Sequence, residues 1–350
     1  MQSQARLAAA PAPAARRLGA LLVTGAPGWL ADRLLASLAK EPPGTVERIR
    51  CLVHPSHQVD TAVWARSLGV EVEVVRGDLT DPASLRVAVR GVNSVVHGAG
   101  VIHVDRIRDY YDVNTEGTRM LTEAAAAAGV ERFVFLSSNA AGGKSPSPDR
   151  PLREDEPSRP LSHYGRSKYL GELAMFAVTN PVERVVLRPC MFYGPPVPPR
   201  HVEIFKRILE GRMPLVGGGN FARSLTHVDH LVQAVRLALA HPGAAGNTFY
   251  VADSRSYTTR EVVEAMARAL DVAPRWLHLP GVAASLAYGV DTWASRLGRY
   301  LQTVHLVGEA NWHVGVSIEH ARRQMGYEPP FTIDDGMRSG VAWCRERGLL

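Results

Sequence analysis

The sequence predicts an α/β protein, a doubly wound parallel sheet followed by a smaller and less regular C-terminal part. Three observations lead there. Short apolar runs recur through the first 190 residues, several of them stopping at a glycine or a small-residue loop. Segments with helical periodicity lie between the runs, and strands alternating with helices imply crossover connections and parallel pairing. After the proline-rich Pro195-Pro196-Val197-Pro198-Pro199 the alternation lapses. The chain then divides into a leader at 1–19, a sheet domain at 20–195 completed by parts of 225–255, and a domain spanning mainly 196–350.

With 350 residues, 46% hydrophobic and 21% charged, the chain can bury a large core and has an ordinary globular composition. The net charge is +6, part of it from Arg6, Arg16 and Arg17 in the leader. No Lys/Arg stripe interleaved with aromatics supports nucleic-acid binding. Cys51, Cys190 and Cys344 are too scattered for a metal site or a disulfide framework, so no metal is expected and a reducing, cytoplasmic location is. No run of about eighteen uncharged apolar residues marks a membrane span. The leader is rich in Ala and Pro and reads as disordered, although its acid-free, Arg-containing character also suits a targeting segment.

Ala20 to Thr24 reads as a first buried strand, and Gly25-Ala26-Pro27-Gly28-Trp29-Leu30-Ala31 turns it into a helix. Backbone amides at such a helix start can hold a dinucleotide pyrophosphate, and glycine permits the close approach. Arg48 to Val53 is the second strand. No acid ends it to bind a ribose 2′-hydroxyl, and His54, with Arg50 or His57 nearby, is a candidate partner for a 2′-phosphate; NADP is therefore favoured over NAD. Val70 to Val75 alternates as a third strand leading to Asp78 and Leu79. Ser94 to His97 is the fourth, running into Gly98-Ala99-Gly100. A long helix is expected from Asn114 to the C-terminal Gly129. Arg132 to Leu136 is the fifth strand, with Ser137, Ser138 and Asn139 at its end, and Glu183 to Leu187 the sixth.

Between the last two strands lies His163-Tyr164-Gly165-Arg166-Ser167-Lys168. On a helix, Tyr164 and Lys168 share a face. A free tyrosine has a pKa of about 10, and a nearby ammonium lowers it towards a working range. On spacing alone the pair is more simply a surface tyrosine and a solvated lysine. Its context changes that reading.

Thr24-Gly25-x-x-Gly28-x-x-Ala31, Asp78-Leu79, His97-Gly98-Ala99, Asn114-x-x-Gly117-Thr118, Ser137-Ser138, Tyr164-x-x-x-Lys168 and Arg188-Pro189-x-x-x-Tyr193-Gly194-Pro195 occur in one order along the chain. Together they resemble the extended short-chain dehydrogenase/reductase superfamily, its NAD-dependent epimerase/dehydratase family, with a Rossmann-type sheet and a C-terminal substrate-binding domain. The resemblance implies that Tyr164 is the acid/base, that Lys168 lowers its pKa and binds the nicotinamide ribose, and that Ser138 holds the substrate oxygen. It implies cofactor contacts from Gly25, Pro27, Gly28, Trp29, Leu30, Asp78, Leu79, Gly98, Ala99, Gly100, Ser137 and Pro189, and a homodimer formed through the helices after Asn114 and around Tyr164.

The second half bears on the substrate. Arg223 resembles the arginine that grips a sugar-nucleotide diphosphate in this family, though it could equally pair with Asp229. Met191 stands where the sugar-nucleotide enzymes commonly carry a diphosphate-binding Asn, and it better suits an apolar wall. Asn139 and Ala140 follow Ser138 where the dehydratases carry an acidic pair, which disfavours elimination of water. The apolar stretch Leu277 to Trp293 has Val282, Leu286, Val290 and Trp293 near one helical face and is expected mainly as core, or else as a lid or a membrane-resting patch. With Met191 it resembles 3β-hydroxysteroid dehydrogenase-like members. His305 and His313 fall in no ligand arrangement. The expected activity is NAD(P)-dependent interconversion of a secondary alcohol and a ketone on an apolar or bulky substrate. A nucleotide-sugar epimerase with retained NAD is the alternative, and a non-catalytic NAD(P)-sensing protein comes third.

Overall fold

A computed structural model describes residues 18–41, 45–58, 60–296, 308 and 311–350. The expected leader up to Arg17, and His305, lie outside the described residues. The central sheet has seven parallel strands. Six are β1 (Ala20–Thr24), β2 (Arg48–Val53), β3 (Glu73–Arg76), β4 (Ser94–His97), β5 (Arg132–Leu136) and β6 (Glu183–Pro189). The seventh, Thr248–Val251, comes from the second half and pairs with β6 at the sheet's edge. From that edge the order runs β6, β5, β4, β1, β2, β3.

This order reverses between β1 and β4, so the loops after those two strands diverge and leave a crevice at their C-terminal ends. The strands read as continuous apolar runs because helices cover both faces. The helix Trp29–Leu38 and the helix Val228–Ala240 pack together on one face. Pro82–Ala88, Thr118–Ala127 and His163–Ala177 cover the other.

The third strand begins later than its alternation suggests, at Glu73 rather than Val70, because only from there does it pair with β2. The helix expected from Asn114 is also built differently. A π-helical turn, Tyr111–Gly117, precedes the regular Thr118–Ala127. Its wider backbone repeat rotates Asn114 into the protein, and such bulges concentrate at functional sites.

Beyond Pro195 a second core forms among the helices Pro199–Leu209, Thr259–Leu270 and Ile333–Glu346, with Phe205, Met266 and Met337 at its centre. The stretch 277–293 does not join it. In the helix Val282–Arg296, Val282, Leu286, Val290 and Trp293 all face solvent. The expectation of core was wrong there: the periodicity identified a face but could not say which way it points. Among the described residues no helix is long and apolar enough to cross a membrane.

Candidate active site

The site is assembled where β1, β4 and β5 end. Gly25 has φ +85°, and a Cβ there would lie 2.7 Å from the Gly98 carbonyl carbon. At Gly28 a Cβ would lie 2.4 Å from the Gly25 oxygen. Both positions demand glycine, one for its conformation and the other for its close approach. Gly28 then starts the helix Trp29–Leu38 with no side-chain cap, leaving first-turn amides for an anion. The Trp29 indole donates to the Pro196 carbonyl and its ring packs on Phe192 at 5.0 Å, which ties the turn to the second half of the chain.

His97 fixes the facing loop. It is fully buried, with Nδ1 2.8 Å from Thr24 Oγ1 and Nε2 3.0 Å from Thr118 Oγ1. Burial, with the Lys168 charge nearby, drives its pKa down to about 3, so it is a neutral structural pin. Thr24 Oγ1 also accepts from the Ala99 amide at 3.1 Å, holding Gly98, Ala99 and Gly100 beside the glycine turn.

Tyr164 and Lys168 lie in the helix His163–Ala177, started by Ser162, whose hydroxyl accepts from the Gly165 amide. Burial raises the Tyr164 pKa, and the neighbouring Ser138 hydroxyl opposes that rise only in part. The expected lowering by Lys168 is therefore not found: desolvation of a phenolate wins. Lys168 itself is buried, with Nζ 4.3 Å from the Phe135 ring centroid. Burial brings its pKa down from 10.5 to about 7, against an opposing pull from Glu172 one turn along.

A buried network lies underneath. Glu172 accepts from the Ser137 hydroxyl and from Arg188, whose Nε is 2.9 Å from Oε1. Arg188 also donates to Ser158 and Tyr250. Asn114 locks the Lys168 helix from the other side, its Nδ2 donating to Ser167 Oγ at 3.1 Å and its Oδ1 accepting from Val101 N at 2.8 Å. Sequence reasoning assigned no role to Asn114, His97, Glu172 or Arg188. Their common signal is a polar residue in an otherwise apolar, helix-covered segment, which needs buried partners.

These residues fit a dinucleotide. The two glycines open the backbone, an uncapped helix start faces the crevice, and the Lys168 ammonium makes no ion pair among the described residues, so its donors are free for a ribose. Leu79 is buried against Gly117, and Asp78 stands at the end of β3. Asp78 has a lowered pKa: its partial burial works against this, but hydrogen bonds from Thr80 and His54 outweigh burial. His54 spends Nε2 on Asp78 at 3.3 Å and Nδ1 on Ser56 at 2.6 Å. Arg50 cannot meet a 2′-phosphate. Its guanidinium is buried against the carbonyls of Ala88 and Arg90, each at 2.8 Å, and pairs with Glu73 at 3.0 Å. It caps the C-terminal end of the helix Pro82–Ala88, where a cation is favoured.

The match to family models now decides the family. Residues 21–252 match the model described as the NAD dependent epimerase/dehydratase family. The chain belongs to that family. It is 30% identical over 350 residues to the ceramide reductase of Caulobacter vibrioides, covering 95% of this chain and 96% of the relative. It is 29% identical over 329 residues to the UDP-glucose 4-epimerase of Vibrio cholerae, covering 91% and 93%. Among solved structures, the dTDP-glucose 4,6-dehydratase DesIV of Streptomyces venezuelae with NAD and TYD bound is similar at TM-score 0.73 and 25% identity, covering 94% and 98%. An NAD-binding family accounts for the glycine turn and for the Tyr164–Lys168 pair.

The remaining predicted residues lie around the end of β5 and beyond β6. Ser138 caps a short turn, its Oγ accepting from Ala140 N at 3.2 Å, and Asn139 begins that turn. Pro189 ends β6, in register with Val251. Met191 is 43% exposed in the short strand Met191–Tyr193, opposite Leu225. Arg223 lies in the strand Ala222–Arg223, opposite Tyr257. It donates to Thr259 Oγ1 at 3.4 Å. The alternative pairing with Asp229 is not present, because Asp229 is held by Arg33, 2.8 Å from Nη2. His313 accepts from the Ala222 amide, a structural bond.

Proposed function

We propose that this chain is an NAD(P)-dependent oxidoreductase that interconverts a secondary alcohol and a ketone on an apolar, lipid-like substrate. One observation carries the reading: Ser138 neighbours Tyr164, and among the described residues no free carboxylate stands beside them, since Asn139 and Ala140 follow Ser138 and the nearby Glu172 is consumed by Arg188 and Ser137. Such a centre can move a proton on and off a carbinol oxygen, but has no second acid or base to expel water.

The bound nicotinamide supplies or accepts the hydride. Ser138 holds the substrate oxygen, and Tyr164 delivers or removes its proton. Lys168, with its ammonium in a dry pocket, orients the ribose and favours the phenolate once the substrate's hydrogen bonds are in place. Met191 gives the oxygen's neighbours an apolar surface. The ceramide reductase similarity supports a long-chain ketone as the substrate class. NAD is the first cofactor to assay, since Arg50 is withdrawn and the Asp78 charge beside His54 opposes a phosphate; NADP is the comparison.

A second reading, nucleotide-sugar epimerase, is favoured by Arg223, which resembles the family's diphosphate-gripping arginine, and by the similarity to the Vibrio enzyme. The two separate on turnover. Long-chain ketones with reduced cofactor should give a stoichiometric loss of reduced nicotinamide. Conversion of a UDP-sugar with no net change in the cofactor would overturn the proposal.

A further inference from the structure

From the apolar face of the helix Val282–Arg296 we infer a docking surface for an anionic lipid bilayer. Val282, Leu286, Val290 and Trp293 are 61%, 67%, 49% and 64% exposed, and their spacing of four, four and three residues makes one stripe along the helix. Leu277, on the preceding strand Trp276–Leu279, extends it. The other side of the helix is anchored. Ala284 is fully buried, Asn311 Nδ2 donates to the Gly281 carbonyl at 2.6 Å, and Tyr288 meets Trp312 edge-on at 5.2 Å. The stripe is therefore presented outward by a packed helix.

Charge selects the occupant. Arg275 lies two residues before Leu277, on the same side of that strand, and is exposed with no ion pair among the described residues. Arg212, also exposed and only loosely paired with Glu210 at 3.8 Å, precedes the partner strand Met213–Val216. Arg296 and Arg299 follow Trp293 in the sequence, and Asp291 is the one acid between Val272 and Tyr300. A second copy meeting this face across a two-fold axis would bring cation against cation. Anionic headgroups with acyl chains beneath them complement both features, and an interfacial tryptophan suits that boundary.

Delivery of a lipid-like substrate from the bilayer rests on the function proposed above, whereas bilayer binding does not and is measured without catalysis.

The test is co-sedimentation of the full chain with vesicles of equal parts phosphatidylglycerol and phosphatidylcholine, and with phosphatidylcholine alone. Wild type should bind the anionic vesicles more tightly, and Leu286→Asp/Trp293→Ser should lower the affinity by at least roughly tenfold, as expected for removing two membrane-buried apolar side chains. Equal binding by the variant, or no binding of wild type to anionic vesicles, overturns the inference. So does a variant that turns a wild-type dimer into a monomer, which would make the stripe a subunit contact. If the double variant does not fold, brominated lipid should quench wild-type tryptophan fluorescence and quench Trp293→Phe much less; equal quenching contradicts bilayer contact.

Discussion

The cofactor side and the substrate side of this site are built to different tolerances. On the cofactor side three polar groups are buried and held at least twice: His97 by Thr24 and Thr118, Asn114 by Val101 and Ser167, Glu172 by Ser137 and Arg188. On the substrate side Met191 is nearly half exposed. The lesson is that the kind of reaction is constrained by rigid, desolvated geometry, while the choice of substrate rests on a few adaptable contacts.

The sharpest way to break this comparison is at Tyr164. Tyr164→Phe removes the proton-transfer group and keeps the ring, so kcat should fall by about 10³-fold, within the range for general acid–base catalysis. Cofactor affinity, measured by titration, should stay close to wild type. Retained activity would remove the cofactor side's claim to the chemistry.

Glu172 tests whether the network beneath matters to the fold. Glu172→Ala strands the buried Arg188 guanidinium, and breaking a buried ion pair costs about 3–5 kcal/mol. Urea unfolding should report a loss of that order, with Glu172→Asp recovering part of it. A loss under about 1 kcal/mol would place the pair among weak surface contacts instead.

Lys168 supplies a pH test. Its pKa is 10.5 ordinarily and about 7 in the folded chain, so between those values the unfolded chain holds the proton more tightly. The desolvation cost is fully present below pH 7 and fades as pH rises towards 10.5. Wild type should therefore gain stability relative to Lys168→Met across that window, with a constant difference below it. A difference that does not vary with pH would mean the ammonium is not desolvated.

The smallest effect is expected on the substrate side. Met191→Asn should raise KM for a long-chain ketone only about threefold, because a half-exposed side chain contributes part of a full burial. It should leave kcat near wild type. A large fall in kcat would mean that Met191 belongs to the rigid side.

Much of the cofactor half was legible because its signals are local. Buried parallel strands are continuous apolar runs, and a glycine turn between strand and helix sits within seven residues, from Gly25 to Ala31. What stayed hidden depends on tertiary direction. Arg50 and His54 are close in sequence, yet Arg50 turns aside to cap a helix while His54 stays at the strand's end. The Glu172–Arg188 pair joins a helix to a strand, and Asn114 points inward only because the backbone takes a π turn. The stripe from Val282 to Trp293 was visible as a periodicity, but periodicity is the same for a face turned to core or to solvent.

The most direct test of the central claim is the cofactor balance during turnover of a long-chain ketone by wild type and Tyr164→Phe. Wild type should oxidise one reduced nicotinamide for each alcohol formed, and the variant should do so about 10³-fold more slowly. Turnover of a UDP-sugar by wild type with no net change in nicotinamide absorbance, and none of the ketone, would contradict the account.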